Sequence, residues 1–175
     1  SAEQLVRSLR PQGVIDFKFR ADWNPSPAGK AVVTHDIRLK DCSVQCEQFP
    51  YPLRHVSGLV TQREGVWALH DIRGLGWNDA TVIVCRGTAT PENGGLRTDV
   101  TIDAAGVALD DNLKFALPPA AQSAWNELRP SGRVDFTAHA VCPPGQKKPT
   151  IEATFRPRDK SVAIEPAPFP YRLDQ

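Results

Sequence analysis

Leu96-Arg97-Thr98-Asp99-Val100-Thr101-Ile102-Asp103-Ala104 is the stretch that decides the fold. Leu96, Thr98, Val100, Ile102 and Ala104 alternate with Arg97, Asp99, Thr101 and Asp103. A period of two gives an extended strand one less polar face and one charged face, which a helix would scramble. Pro91-Glu92-Asn93-Gly94-Gly95 before it is turn chemistry. The same pattern recurs upstream. In 13–22, Ile15, Phe17, Phe19 and Ala21 face Asp16, Lys18 and Arg20. In the next run Val33, Ile37 and Leu39 alternate with Thr34, Asp36, Arg38 and Lys40, and a third short run sets Cys42, Val44 and Cys46 against Ser43 and Gln45. The proline-rich segment 24–29 is the turn between the first two. His35 falls on an apolar side with no evident partner and reads as a packed residue, not a ligand.

Three more strands are expected at 55–63, 66–73 and 79–88, joined by Glu64-Gly65 and Gly74-Leu75-Gly76. Their apolar series reads Val56, Gly58 and Val60, then Val66, Ala68, Ile72 and Gly74, then Ala80, Val82 and Val84. Ile83 and Cys85 alternate with this last set, so the sequence leaves open which face lies inside. Downstream, Val134, Phe136, Ala138, Ala140 and Cys142 form one strand, Ile151, Ala153 and Phe155 another, and Val162 and Ile164 a third.

Two motifs repeat in the same order. Leu9-Arg10-Pro11-Gln12-Gly13 returns as Leu128-Arg129-Pro130-Ser131-Gly132, an offset of 119 (128 − 9). Phe49-Pro50-Tyr51-Pro52-Leu53 returns as Phe169-Pro170-Tyr171-Arg172-Leu173, an offset of 120 (169 − 49). Such spacing marks a repeat unit. Residues 1–119 read as one unit, a short helix plus about seven antiparallel strands. Residues 120–175 open a second, a helix plus about three strands in the same continuous sheet. The helices are expected at 2–10, with Leu5, Val6 and Leu9 on one side, and at 120–129, where Ala121, Trp125 and Leu128 form a stripe behind Pro118-Pro119. A further helical turn is expected at 110–116. The two prolines of Phe-Pro-Tyr-Pro oppose both helix and central strand, so the element reads as a rigid connector pinned to a sheet edge. Met is absent, so Ser1 is not a translation start, and the chain reads as a window on a longer protein.

Chemistry-bearing patterns are scarce. A formal net charge of +1 over 175 residues, without a dense Lys/Arg cluster, gives no nucleic-acid footprint. No apolar run approaches the roughly 20 residues of a membrane span. Cys42 and Cys46 on one strand would lie about 13 Å apart, beyond the reach of a disulfide, about 7 Å. With Cys85 and Cys142 they read as small buried hydrophobes, since neither they nor His35, His55, His70 and His139 show zinc-ligand spacing. No phosphate loop, nucleophile elbow or His-Glu-x-x-His motif occurs. Asp110-Asp111 sits where a helix dipole favours acids. Trp23, Trp67, Trp77 and Trp125 suggest packing before a sugar platform. No cofactor, metal or catalytic residue is indicated.

The block His55-Val56-Ser57-Gly58-Leu59-Val60, Gly65-Val66, Leu69-x-Asp71-Ile72-x-Gly74, Ala80-x-Val82-x-Val84-x-x-Gly87 resembles the strand pattern of AsmA-like bacterial envelope proteins. The Leu-Arg-Pro-x-Gly and Phe-Pro-Tyr-Pro-Leu elements are similar to those of their long planctomycete-type members. The resemblance implies a bridge-like lipid-transfer protein with a long taco-shaped β-groove, anchored in the inner membrane and spanning the periplasm. It also implies a role in outer-membrane biogenesis, with lipid chains sliding along an apolar interior and no catalytic residues. The expected fold is therefore mainly β with short helices, an antiparallel β-meander curved into a groove and plugged by a short helix. The expected function is non-enzymatic shielding of lipid acyl chains, lined by Ile15, Phe17, Phe19, Val33, Ile37, Leu39, Val100, Ile102, Val134 and Phe136. Partners are acyl chains and neighbouring repeats of the same chain. The competing expectation is a closed β-sandwich repeat that binds a protein or glycan through its loops.

Overall fold

The computed structural model describes residues 12–23, 31–46, 49–93, 95–146 and 148–165. Their order is β1 (Gln12–Trp23), β2 (Ala31–Cys46), β3 (Phe49–Arg63), β4 (Val66–Leu75), β5 (Val82–Glu92), β6 (Gly95–Ala108), α1 (Asp111–Ala116), α2 (Pro119–Leu128), β7 (Pro130–Ser131), β8 (Arg133–Cys142), β9 (Thr150–Pro157) and β10 (Ala163–Ile164). One antiparallel sheet of eight strands runs β1-β2-β3-β4-β5-β6-β8-β9, and β7 pairs with β10 beside it. The chain is thus a mainly β meander with short helices, interrupted once, between β6 and β8. The sheet is open, with β1 and β9 as its edges, and uncurled. The curl of a taco is not built by these eight strands. The helix expected at 2–10, the turn at 24–29 and the copy Phe169-Pro170-Tyr171-Arg172-Leu173 lie outside the described residues.

Among the described residues six strands precede residue 119, where about seven were expected, because the runs at Val33 and Cys42 are one strand. Asp41 lies between them at φ 54°, and the β2–β3 register shifts between Leu39 and Cys42. This is a β-bulge: one extra residue, in left-handed backbone, changes the parity of the strand. The device recurs. His55 (φ 52°) separates Leu53 from Val56 in β3, Asp71 (φ 42°) separates Leu69 from Ile72 in β4, and Gly106 (φ 70°) separates Ala104 from Val107 in β6. Each time, two apolar residues three apart stay on one face. His55 Nδ1 also lies 2.6 Å from the Asp41 carboxylate, joining the bulges of neighbouring strands. The repeated glycines behave alike too. Gly13 (φ 139°) leaves a Cβ only 2.7 Å from Cys42 Cα, and Gly132 (φ 104°) only 2.6 Å from the Ser161 carbonyl oxygen.

Phe-Pro-Tyr-Pro is not a connector. It opens β3, with Phe49 opposite Cys46 and Leu53 opposite Val44. β4 stops opposite Arg54, so this end of β3 has a ladder on one side alone and tolerates proline as an edge strand does. Tyr51, pinned to no edge, is 3 % exposed and lies in the core cluster with Ile83, Ala104, Val107, Val134 and, from α1, Leu113 and Ala116.

Helix α1 has the expected start. Asp110 is its N-cap, accepting from the Leu113 N–H at 3.1 Å, while its other oxygen accepts from Trp77 Nε1 at 3.1 Å. Helix α2 begins at Pro119 and ends in left-handed backbone at Arg129 (φ 45°). Trp125 and Leu109 pack against the same cluster from outside. The core therefore sits at one end of the strands, under the helix pair. Burial holds the Tyr51 phenol above its ordinary value, with the Asp110 carboxylate adding to the rise and a hydrogen bond with Thr81 opposing it. The folded protein keeps this proton longer than the unfolded chain, so the Tyr51 contribution to stability is full below pH about 10 and is lost as pH climbs above it. Denaturant titrations should show a steeper loss of stability between pH 10 and 11 in the native protein than in Tyr51→Phe. Superimposable pH slopes would contradict the assignment.

Candidate functional site

Residues directly opposite one another in a sheet share a face, so the register assigns faces without further assumption. One row crosses all eight strands: Phe17, Ile37, Val60, Leu69, Gly87, Val100, Ala140 and Ile151. Every member is apolar or glycine. Toward the helices the next rows hold Ile72, Cys85, Ile102, Ala138 and Ala153, then Gly74, Ile83, Ala104, Phe136 and Phe155. Ile15 and Leu39 lie opposite each other on this face, and Val33 is opposite Ala21. All ten expected lining residues thus fall on one face: Ile15, Phe17, Phe19, Val33, Ile37, Leu39, Val100, Ile102, Val134 and Phe136.

The reverse face is charged. Its rows include Asp16, Arg38, Leu59 and His70, and Lys18, Asp36, Thr61, Ala68, Thr88, Asp99 and Val141. Ion pairs such as Lys40–Asp16 (2.6 Å) and Arg86–Asp71 (3.2 Å) lie there. Being exposed, each contributes at most about 1 kcal/mol, so they mark a wet face and do not hold the fold. The sequence reading took Val66, Ala68, Val82 and Val84 as the apolar series. The register instead places Trp67, Leu69, Ile83 and Cys85 on the apolar face, a choice the alternation in 80–85 left open.

Cover is uneven. Val134 is 6 % exposed beneath the helices, while Phe17, Phe19 and Phe155 at the edges are 58 %, 55 % and 60 % exposed. Between them Ile37, Leu39, Val60, Leu69, Val100 and Ile102 are half-buried. Their flanks touch sheet neighbours, and no described element lies over the row from Phe17 to Ile151. A contiguous bare apolar surface of this kind marks a binding or assembly face.

One polar spot interrupts it, and sequence reading missed its partners. His35 is opposite Phe19 and Gln62, and Gln62 is opposite Trp67. The imidazole is parallel to the Trp67 ring at 5.9 Å and lies 5.7 Å and 5.5 Å from Phe17 and Phe19. The Gln62 amide, oriented so that its oxygen accepts from the Gly65 N–H, donates to the Val33 carbonyl and to His35 Nδ1. That bond leaves the proton of a neutral ring on Nε2. The hairpin turn at Glu64-Gly65, legible in the sequence, is what brings Gln62 and Trp67 opposite each other.

The other candidates disperse. Trp23 is on β1, Trp67 on β4, Trp77 in the turn after β4 and Trp125 on α2, so the four tryptophans come from separate segments. Among the described residues no three His, Cys, Asp or Glu side chains converge as metal ligands, and none of their helices is long and apolar enough to cross a membrane. Cys42 is 1 % exposed, its thiol 3.3 Å from the Val14 carbonyl. Comparison of the chain with protein families, curated proteins and solved structures finds no match. Burial pushes the Cys85 thiol on the apolar face up to about 11, with Arg86 opposing the rise. At pH 8 roughly one Cys85 in a thousand is thiolate. Peptide mapping after brief iodoacetamide exposure at pH 8 should find Cys85 modified far more slowly than free cysteine. Equal rates would contradict this environment.

Proposed function

We propose that the chain is a non-enzymatic segment of a β-groove protein that holds lipid acyl chains against the uncovered part of its apolar face during transport between membranes. The observation that carries this reading is the unbroken row from Phe17 to Ile151, apolar on all eight strands and without cover. The helix pair caps one end of the strands and leaves the rest to a ligand. The resemblance to AsmA-like envelope proteins supports the same reading and supplies its setting. That setting is the periplasm of a bacterial envelope. The reading gives no side chain of the face a catalytic role.

Affinity on such a face scales with chain length. Full burial of a methylene contributes about 0.8 kcal/mol. A chain lying on an uncurled sheet is covered on one side, about half of that, so two added methylenes strengthen binding roughly fourfold. With His35 and Gln62 as the chief polar groups near the row, headgroup chemistry matters little. Competition binding with fatty acids and lysophospholipids of increasing chain length should give this progression at each headgroup. Native mass spectrometry and lipid extraction of the purified chain should recover acyl lipids. Affinity independent of chain length, together with repeated absence of bound lipid, would overturn the proposal.

A further inference from the structure

Neither β1 nor β9 has a described partner on its outer side, but β1 has a counterpart whose two sides are both filled. Ile15-Asp16-Phe17 and Val134-Asp135-Phe136 match at an offset of 119 (134 − 15), the offset of the glycines that precede them. β1 and β8 run in the same direction, each followed by an antiparallel neighbour, β2 or β9. On its other side β8 carries β6. We propose that the outer edge of β1 is a docking site for a strand of the β6 type, with the chemistry of Gly95–Ala108, supplied by another copy of this unit. It would sit in the register that β6 takes on β8.

That register predicts specific contacts. Ala104 is opposite Phe136, Ile102 opposite Ala138 and Val100 opposite Ala140. Their places on β1 belong to Phe17, Phe19 and Ala21, so the incoming strand would extend the apolar face. On the charged face, Thr137 Oγ1 donates to the Asp103 carboxylate at 2.9 Å and His139 Nε2 lies 2.7 Å from that of Asp99. β1 has Lys18 and Arg20 in the places of Thr137 and His139. Asp103 would then meet Lys18 directly, while Asp99 would stand opposite Asp22, in the place of Val141, with Arg20 diagonal to it as His139 is in the β6–β8 pair. The Gly106 N–H donates to Asp135 at 2.7 Å, and Asp16 stands in the place of Asp135. Lys18 has no ion-pair partner among the described residues. Arg20 reaches only Asp22, at 2.9 Å, with the two side chains 71 % and 56 % exposed. A slip by one residue would turn the apolar side chains to the wrong face. A slip by two that sets Asp103 opposite Asp16 would part Asp103 from Lys18 and the Gly106 N–H from Asp16. The inference does not depend on the lipid reading, since its test reads the backbone edge and the charged face.

The test uses the full chain and a fluorescent peptide of the sequence 95–108. Saturable binding is expected, with slowed amide exchange in β1 and unchanged exchange in β9. Lys18→Glu combined with Arg20→Glu, both at exposed positions, should weaken binding about tenfold or more. A peptide carrying Asp99→Lys and Asp103→Lys should bind this double variant better than the unaltered peptide does. Exchange across the remaining strands of the variant reports whether it is folded. No saturable binding up to millimolar peptide, affinity unchanged by the charge reversals, or protection on β9 in place of β1 would each overturn the proposal.

Discussion

A strand that gains one residue turns everything after it to the opposite face, and four strands of this sheet gain one. The apolar face exists because each gain is absorbed locally, by left-handed backbone at Asp41, His55, Asp71 and Gly106. Bulges of this kind also raise local twist and end regular pairing. Here they lie toward the end of the sheet where the helices pack. Beyond them come Cys42, Val56 and Val107, all nearly inaccessible. The bulges thus divide the apolar face into a regular bare part and an irregular covered part. If any one of them reverted to plain strand, the apolar residues beyond it would face water and the core would lose its floor.

The covered part is where the fold is held. Tyr51, Val107 and Val134 from three strands meet Leu113 and Ala116 from α1, and Thr81, wholly inaccessible, donates from its hydroxyl to the Gly106 carbonyl at 3.1 Å. That bond ties the turn before β5 to the bulge of β6. A buried hydroxyl must find an acceptor, and the bulge supplies one. With stability concentrated there, the bare rows remain uncovered without loss to the core, which is what the proposed acyl-binding face requires. The structure separates a covered part from a bare part along the length of the strands.

Much of this was legible in the sequence. Strict alternation in 96–104 gave β6 and its faces, and the ten lining residues were picked from runs where the period of two is clean. The errors cluster at the bulges. Leu39 and Cys42 differ in parity, so one strand was counted as two, and Leu69 to Ile72 broke the phase of β4 in the same way. Aspartate and histidine tolerate left-handed backbone better than most residues, but residue type alone does not single out Asp41, His55 and Asp71 from the other aspartates and histidines. The Phe-Pro-Tyr-Pro misreading has another cause. Proline argues against a strand with partners on both sides, and the early stop of β4 is a tertiary fact that no local pattern shows. The His35–Gln62–Trp67 group depends on pairing across three strands, so only His35 stood out. Uncurled geometry was likewise beyond the sequence, since alternation fixes which side chains share a face but not how far the sheet bends.

The central claim is that one face, and not its reverse, carries acyl chains. Site-specific photocrosslinking separates the two with neighbouring positions on β6. A photoreactive side chain at Ile102 lies on the apolar face, and one at Thr101, opposite Arg86 and His139, on the charged face. After irradiation in the presence of phospholipid, mass spectrometry should find lipid adducts on the chain substituted at 102 and essentially none on that substituted at 101. Equal labelling at both positions, or labelling at 101 alone, would contradict the account.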